Sequence, residues 1–302
     1  MKISIVIPSF NEEKNIPLLY KQIVDNLGEY NFNCIFVDDG SSDKTFEEIK
    51  KLSEKDSRVN GLSFSRNFGH QIALLAGVKD ANGDIVIMMD ADGQHPPKLI
   101  PELITEYKKG FDIVNTRRLA TKDAGLIKNT TSKFFYKFIN QLTDIKIEPA
   151  SSDFRLMTRK AVDAFLAMEE KDRFTRGLIS WMGFDQSIID FEAPERMTGE
   201  TKYTFKKMLR FAWDGITSFS SKPLKLSLYI GLLSIAFGIA YSIYAIVAFF
   251  MDKTIPGWTS MMLIILFLGG IQLLSIGIIG EYLARIFNEA KNRPSFFVKD
   301  KC

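Results

Sequence analysis

The sharpest chemical signal in the sequence is a pair of carboxylates, Asp90 and Asp92, at the end of the apolar run 85–89. Two residues apart on an extended chain, both face the same side. A hard divalent cation takes carboxylate oxygens together with phosphate oxygens, so this pair suits Mg2+ or Mn2+ held against a diphosphate. Asp-x-Asp alone is common. Here it ends a strand-like run and leads into Gly93, Gln94 and a His95-Pro96-Pro97 turn, which sharpens it. Two more polar clusters follow apolar runs, Pro8-Ser9-Phe10-Asn11-Glu12-Glu13 and Asp38-Asp39-Gly40-Ser41-Ser42-Asp43. Like charges gathered at one edge cost energy unless a cation or donor groups satisfy them, so a ligand explains these clusters better than stability does. No Walker loop and no Gly-x-Gly-x-x-Gly occurs, which argues against a P-loop nucleotidase or an ordinary dinucleotide-binding dehydrogenase.

Such clusters need a scaffold that brings distant segments to one edge. Apolar, β-branched runs predict strands over 3–7, 34–37, 59–64, 85–89 and 113–116. Helical patterns lie between them at 16–27, 44–52, 70–79 and 99–108, with another over 158–167. This alternation predicts an α/β fold with a mostly parallel sheet and ligands at the carboxyl ends of its strands. His70 reads as a helix start without chemistry, His95 as a turn residue, and Met88 and Met89 as core.

The last third of the chain has a different character. Residues 226–251 and 254–280 carry no charge apart from Asp252 and Lys253 between them. At about 1.5 Å per residue each run exceeds a hydrocarbon core of about 30 Å. Basic residues flank the pair (Lys202, Lys206, Lys207, Arg210, Lys222 and Lys225 before it, Arg285, Lys291, Arg293, Lys299 and Lys301 after it). The positive-inside bias therefore puts both termini in the cytoplasm. Residues 203–219 read as an amphipathic helix in the membrane surface, the alternative being a helix packed on the first domain. A second such helix is read over 281–292, continuing out of the second apolar run. The domain boundaries expected are 1–200, 201–225, 226–283 and a cytoplasmic tail over 284–302.

The mean hydropathy of +0.00 is thus a cancellation between two unlike parts. The net charge of +3 hides the same asymmetry: 201–302 carry 12 Lys/Arg against 5 Asp/Glu, a balance of +7, and 1–200 carry 27 against 31. A mildly acidic body with a basic, apolar tail indicates an anionic membrane, not nucleic acid. Cys34 and Cys302 supply neither a metal spacing nor a disulfide framework, and fit a reducing setting. The apolar run 3–7 is too short for a signal-peptide core.

The chain resembles the polyprenyl-phosphate branch of family 2 glycosyltransferases, which have the GT-A fold. The resemblance runs nearly end to end, on IVIPSFNEE, VDDGSSDKT, SRNFGHQ, MDADGQHPP, SSDFRLMTRKAVDAF, RFTRGLISWMGF, ERMTGETKY, DGITSFSSKPL and GIIGEYLARIFNEAKNRPSFFV. The last two motifs frame the apolar hairpin and point to the bacterial undecaprenyl-phosphate glucosyltransferase-like subgroup. The resemblance implies that Pro8, Asn11, Glu13 and Asp39 line a nucleotide pocket. It implies that Asp90, Asp92 and Gln94 bind Mg2+ or Mn2+ and the donor diphosphate. Arg117, Lys128, Ser132, Arg196 and Lys202 would hold an acceptor phosphate, and Asp153 and Arg155 would sit near the reacting sugar. The family more often carries Arg where Lys128 stands, which replaces a bidentate fork with a point charge. Bland readings compete: a solvated pair for Arg117 with Arg118, and a helix cap or an Arg155 partner for Asp153.

The function implied is inverting transfer of one sugar from a nucleotide donor to a polyprenyl phosphate at the cytoplasmic face of a bacterial inner membrane. UDP-glucose is the first donor, UDP-N-acetylglucosamine the second. A processive polysaccharide synthase is the rival enzyme, but its Gln-x-x-Arg-Trp motif is absent. A membrane scaffold without catalysis is the other rival, and the intact Asp-x-Asp disfavours it. Gly269, Gly270 and Gly277 permit close helix packing, and so a homo-oligomer.

Overall fold

The computed structural model describes residues 1–119, 151–171, 173–192, 194, 215–251 and 257–302. The first half alternates as expected: β1 (Lys2–Ser9), α1 (Asn15–Leu27), β2 (Asn31–Asp38), α2 (Thr45–Lys55), β3 (Val59–Phe64), α3 (His70–Asp80), β4 (Ile85–Met88), α4 (Ile100–Lys108) and β5 (Ile113–Arg118). Then come β6 (Ser151–Thr158), α5 (Arg159–Ala167), α6 (Thr175–Trp181), β7 (Gln186–Phe191), α7 (Lys222–Phe250), α8 (Trp258–Ala290) and β8 (Val298–Lys301).

The strands form one sheet in the order β7-β5-β6-β4-β1-β2-β3-β8. β1 pairs in parallel with β2 and β4, β2 with β3, and β5 with β7. Register sets Ser9 opposite Asp38 and Val6 opposite Met88, so three strands end at one edge. Period-two alternation sends Ile3, Ile5, Ile7, Cys34 and Phe36 to one face, under α1, α2 and α4. Val6, Ile35, Val37, Val86 and Met88 point to the other, under α3, α5 and α6. Helices on both faces are why these strands read as unbroken apolar runs. At Gly77 on α3 a Cβ would stand 2.3 Å from Val6 Cγ1, so glycine sets how closely that helix approaches the sheet.

Three strands depart from the predicted pattern. β6 enters antiparallel between β4 and β5, although it carries Asp153 and Arg155. Buried partners neutralise both charges, which hides the strand from a hydropathy scan. β7 was not expected either. β8 is fully exposed, charged, and antiparallel to β3. Residues 284–302 are therefore not a simple tail: they complete α8 and then close the sheet edge, with Cys302 packed at Gly61.

α7 and α8 are long and apolar enough to cross a membrane. Their side chains are not core: Leu233 is 72% exposed and Phe250 82%. They are not buried helices of a core. α8 runs unbroken through residue 290, so the helix read over 281–292 continues out of the second span, as expected. Of the expected amphipathic segment 203–219, only 215–219 are described. They form a helical turn in which Ile216 is buried and Phe219 meets Phe174 edge-on at 6.0 Å. Those five residues pack on the first domain, as the alternative reading of that segment had it.

Candidate active site

A cleft of about 390 Å³ opens at the edge where β1, β2 and β4 end. Pro8, Phe10, Asp39, His70, Asp90, Asp92 and Asp153 help to line it. The converging acidic strand ends expected from the motifs thus share one site.

The first two loops are stitched together. Asn11 adopts φ 57°, which asparagine tolerates better than most residues. Its N–H donates to Ser41 Oγ at 2.9 Å, and its Oδ1 accepts from the Ser42 N–H at 2.9 Å. Glu13 Oε2 accepts from the Lys44 N–H at 3.1 Å. Asn11 and Glu13, expected in the nucleotide pocket, therefore hold its walls and do not line it. Asp38 is buried and accepts from the Ser41 N–H and Ser63 Oγ. Gly40 turns the chain at φ 67°, where a Cβ would lie 2.4 Å from the Arg66 carbonyl carbon. Asp39 faces the cleft and accepts from the Phe68 and Gly69 N–H groups at 2.7 and 2.9 Å. Burial pushes its carboxyl above the usual range, against the pull of those two donors.

Asp90 and Asp92 do not lie on an extended chain. β4 stops at Met88 and the segment turns, with Gly93 at φ 77°. Asp92 Oδ1 accepts from the Gln94 N–H at 3.0 Å, and the Asp90 N–H donates to His95 Nδ1 at 2.8 Å. That bond places the neutral imidazole proton on Nε2, which lies 2.6 Å from Ser152 Oγ. His95 is buried and stacked on Phe154 at 5.3 Å. It clamps the turn, consistent with its reading as a turn residue. The turn still delivers both carboxylates to the cleft.

Asp153 sits on β6 between two guanidinium groups. Arg176 Nε and Nη2 donate to it at 3.0 and 3.1 Å, and Arg155 Nη2 at 3.3 Å. Burial disfavours its charge, but Arg176 and Arg155 outweigh burial and hold the carboxyl well below the usual range. Thr158 caps α5 by accepting from the Ala161 N–H, so Asp153 is not that cap. His70 Nε2 lies 3.4 Å from Asp90 Oδ1 and 3.8 Å from Asp153 Oδ2. It does start a helix, and that start places it between two carboxylates of the cleft.

Arg117 and Arg118 point to different partners. Arg117 is bidentate to Asp190 on β7, at 2.7 and 2.8 Å, and outside the cleft lining. Arg118 Nη1 reaches Gln94 Oε1 at 3.3 Å. Of the two, Arg118 is the one that touches the Asp-x-Asp turn. Lys128, Ser132, Arg196 and Lys202 lie outside the described residues. His70, Arg176 and Arg118 are the residues that motif reading left without a role, although SRNFGHQ and RFTRGLISWMGF contain the first two.

The donor set fits a hard cation. Among the described residues Asp90 Oδ1 is buried without a hydrogen-bond partner, with His70 Nε2 3.4 Å away, and Asp90 and Asp92 both line the cleft. Among the described residues no three His, Cys, Asp or Glu side chains converge to hold a metal unaided. Two carboxylates completed by substrate phosphates is the usual arrangement for Mg2+ in phosphate-handling sites. Gln94 Oε1, engaged by Arg118, is not turned to that role here.

The family model for glycosyl transferase family 2 matches residues 4–166, and that for the GtrB C-terminal hairpin matches 222–286. An uncharacterized glycosyltransferase of Bacillus subtilis, YkcC, is 44% identical over 98% of this chain and 93% of its own. A prophage bactoprenol glucosyl transferase homolog of Escherichia coli is 40% identical over 99% of each chain. The bactoprenol glucosyl transferase of Shigella phage SfV is 39% identical over 100% of this chain and 99% of its own.

Proposed function

The chain belongs to glycosyl transferase family 2, and we propose that it moves one hexose from a nucleotide donor to a polyprenyl phosphate at the cytoplasmic face of a bacterial membrane. UDP-glucose is the preferred donor and UDP-N-acetylglucosamine the second. Undecaprenyl phosphate is the acceptor. The carrying observation is the joining of two features in one chain. A cleft lined by Asp90 and Asp92 and an apolar hairpin occur in the same chain, and relatives named bactoprenol glucosyl transferases match along the whole length.

The chemistry suits this site. A phosphate monoester has a second pKa near ~6, so the acceptor is already largely anionic at neutral pH. It needs no strong general base. Its oxygen attacks the anomeric carbon as the bond from that carbon to the donor diphosphate breaks, and the electron pair leaves on the nucleoside diphosphate. Attack opposite the leaving group inverts the configuration. Asp39 and the loops knit by Asn11 and Glu13 orient the donor. A divalent cation, Mg2+ or Mn2+, held by Asp90 and Asp92 would offset charge on the leaving diphosphate. Asp153, locked by Arg176 and Arg155, presents a fixed, ion-paired wall beside the sugar.

Labelled UDP-glucose and undecaprenyl phosphate should yield a chloroform-soluble product with the purified protein. Absence of such a product with every common nucleotide sugar sinks this reading. The Lys/Arg bias around α7 and α8 supports a cytoplasmic catalytic domain. A reporter fused after Cys302 should then be active in the cytoplasm, and periplasmic activity overturns that orientation.

A further inference from the structure

We propose that a second cavity, between the catalytic domain and α8, seats the phosphate headgroup of the prenyl-phosphate acceptor, held by Lys171, Arg173, Arg176 and Arg285 with the Thr175 hydroxyl as a further donor. The inference rests on the acceptor class proposed above and assigns it a place. The cavity measures about 570 Å³. Lys171 and Arg173 come from the segment leading into α6, Arg176 from its first turn, and Arg285 from α8. Asp153 and Glu281 are the acidic residues of the lining, paired with Arg176 and Arg285, and Glu170 and Glu289 act on Arg173 from beside it. Guanidinium forks gathered on the wall of one cavity match phosphate geometry.

Among the described residues, Gln71 Oε1, Arg173 Nε and Thr175 Oγ1 in this cavity are buried without a hydrogen-bond partner. Thr175 is 1% exposed. Orphaned buried polar atoms are rare in folded proteins, and several in one cavity indicate a missing guest. Position identifies the guest. Asp153 lines both this cavity and the nucleotide cleft, so a headgroup here adjoins the reacting centre. On α8, residues 281, 284, 285 and 288 share the cavity face. Leu283, Ile286 and Phe287, next to them on the same turns, are 62%, 63% and 58% exposed. An apolar surface therefore borders the charged cavity, as an acceptor with a polar head and a hydrocarbon tail requires. Arg117, the acceptor-phosphate candidate within the described residues, is engaged by Asp190 and lines neither cavity.

Calorimetric titration of the full-length protein in detergent with geranyl phosphate tests the site directly, with UDP plus Mn2+ and inorganic phosphate as parallel ligands. Arg285→Gln and Lys171→Gln should each weaken geranyl phosphate binding about tenfold, the usual effect of losing one charged hydrogen bond. Thr175→Val removes a hydroxyl that has no partner among the described residues. A purely structural role predicts an unchanged or raised melting temperature and unchanged affinity. The proposal predicts the same melting temperature with affinity reduced about threefold or more. UDP affinity should be unchanged in all three variants. Unchanged geranyl phosphate affinity in all three overturns the proposal. A parallel loss of UDP affinity also overturns it, by assigning the cavity to the donor diphosphate. Inorganic phosphate binding as tightly as geranyl phosphate reduces the cavity to a free-anion site and overturns the lipid assignment. Binding is read without turnover, so a protein that passes here but transfers no sugar loses the proposed function and keeps this site.

Discussion

The strand-end edge and the helical hairpin obey opposite rules. At the edge, side chains are committed to named partners: Asp38 to Ser41 and Ser63, Asp39 to the 68 and 69 amides, Asn11 to Ser42. In α7 and α8 the exposed Leu, Ile and Phe side chains are interchangeable members of an apolar surface. The lesson is that chemistry is written in identity and position, and anchoring in composition and length. The comparison can be broken at either end.

The largest effect is expected at Asp92. Asp92→Ala should lower sugar transfer by ~10³-fold or more, equivalent to ~4 kcal/mol of barrier, with the melting temperature unchanged. Undiminished transfer would remove the cation assignment. Next comes Gly40→Ala, which puts a Cβ at φ 67° and against the Arg66 backbone. It should destabilise the catalytic domain by ~2 kcal/mol or more in denaturant unfolding, and an unchanged midpoint would show that the turn is more forgiving than its geometry.

A smaller, pH-dependent effect is expected at Asp153. Its carboxyl is depressed in the fold, so its stabilisation is complete above the unfolded value near ~3.9 and is lost as pH falls through the lower folded value. The melting-temperature gap between the native protein and Asp153→Asn should therefore close as pH drops below about 4. A constant gap down to pH 2 would contradict the pairing with Arg176 and Arg155. The smallest effect is expected in the hairpin, where Leu233→Val should change stability by no more than ~0.5 kcal/mol and leave transfer in vesicles unaltered.

The same contrast governs what could be read from the chain alone. β1 to β5 are legible because buried parallel strands are continuous apolar runs, and the hairpin because its composition is extreme. β6 is illegible for a physical reason: Asp153 and Arg155 look like loop residues until Arg176, over twenty positions away, neutralises the carboxylate. β8 is illegible because an exposed edge strand needs no apolar signature. In the site, Asp39, Asp90 and Asp92 were readable as strand-end acids. The place of His70 between Asp90 and Asp153 depends on tertiary distance, which no spacing rule contains.

The return of β8 to β3 is also a statement about parity. Val298–Lys301 can pair with Val59–Phe64 only if both lie in the same compartment. With the hairpin in a membrane, the chain between β7 and β8 must cross an even number of times. Deleting one span would strand β8 on the far side and leave the β3 edge open. The sheet itself thus counts the crossings, and an odd topology would show as a missing strand.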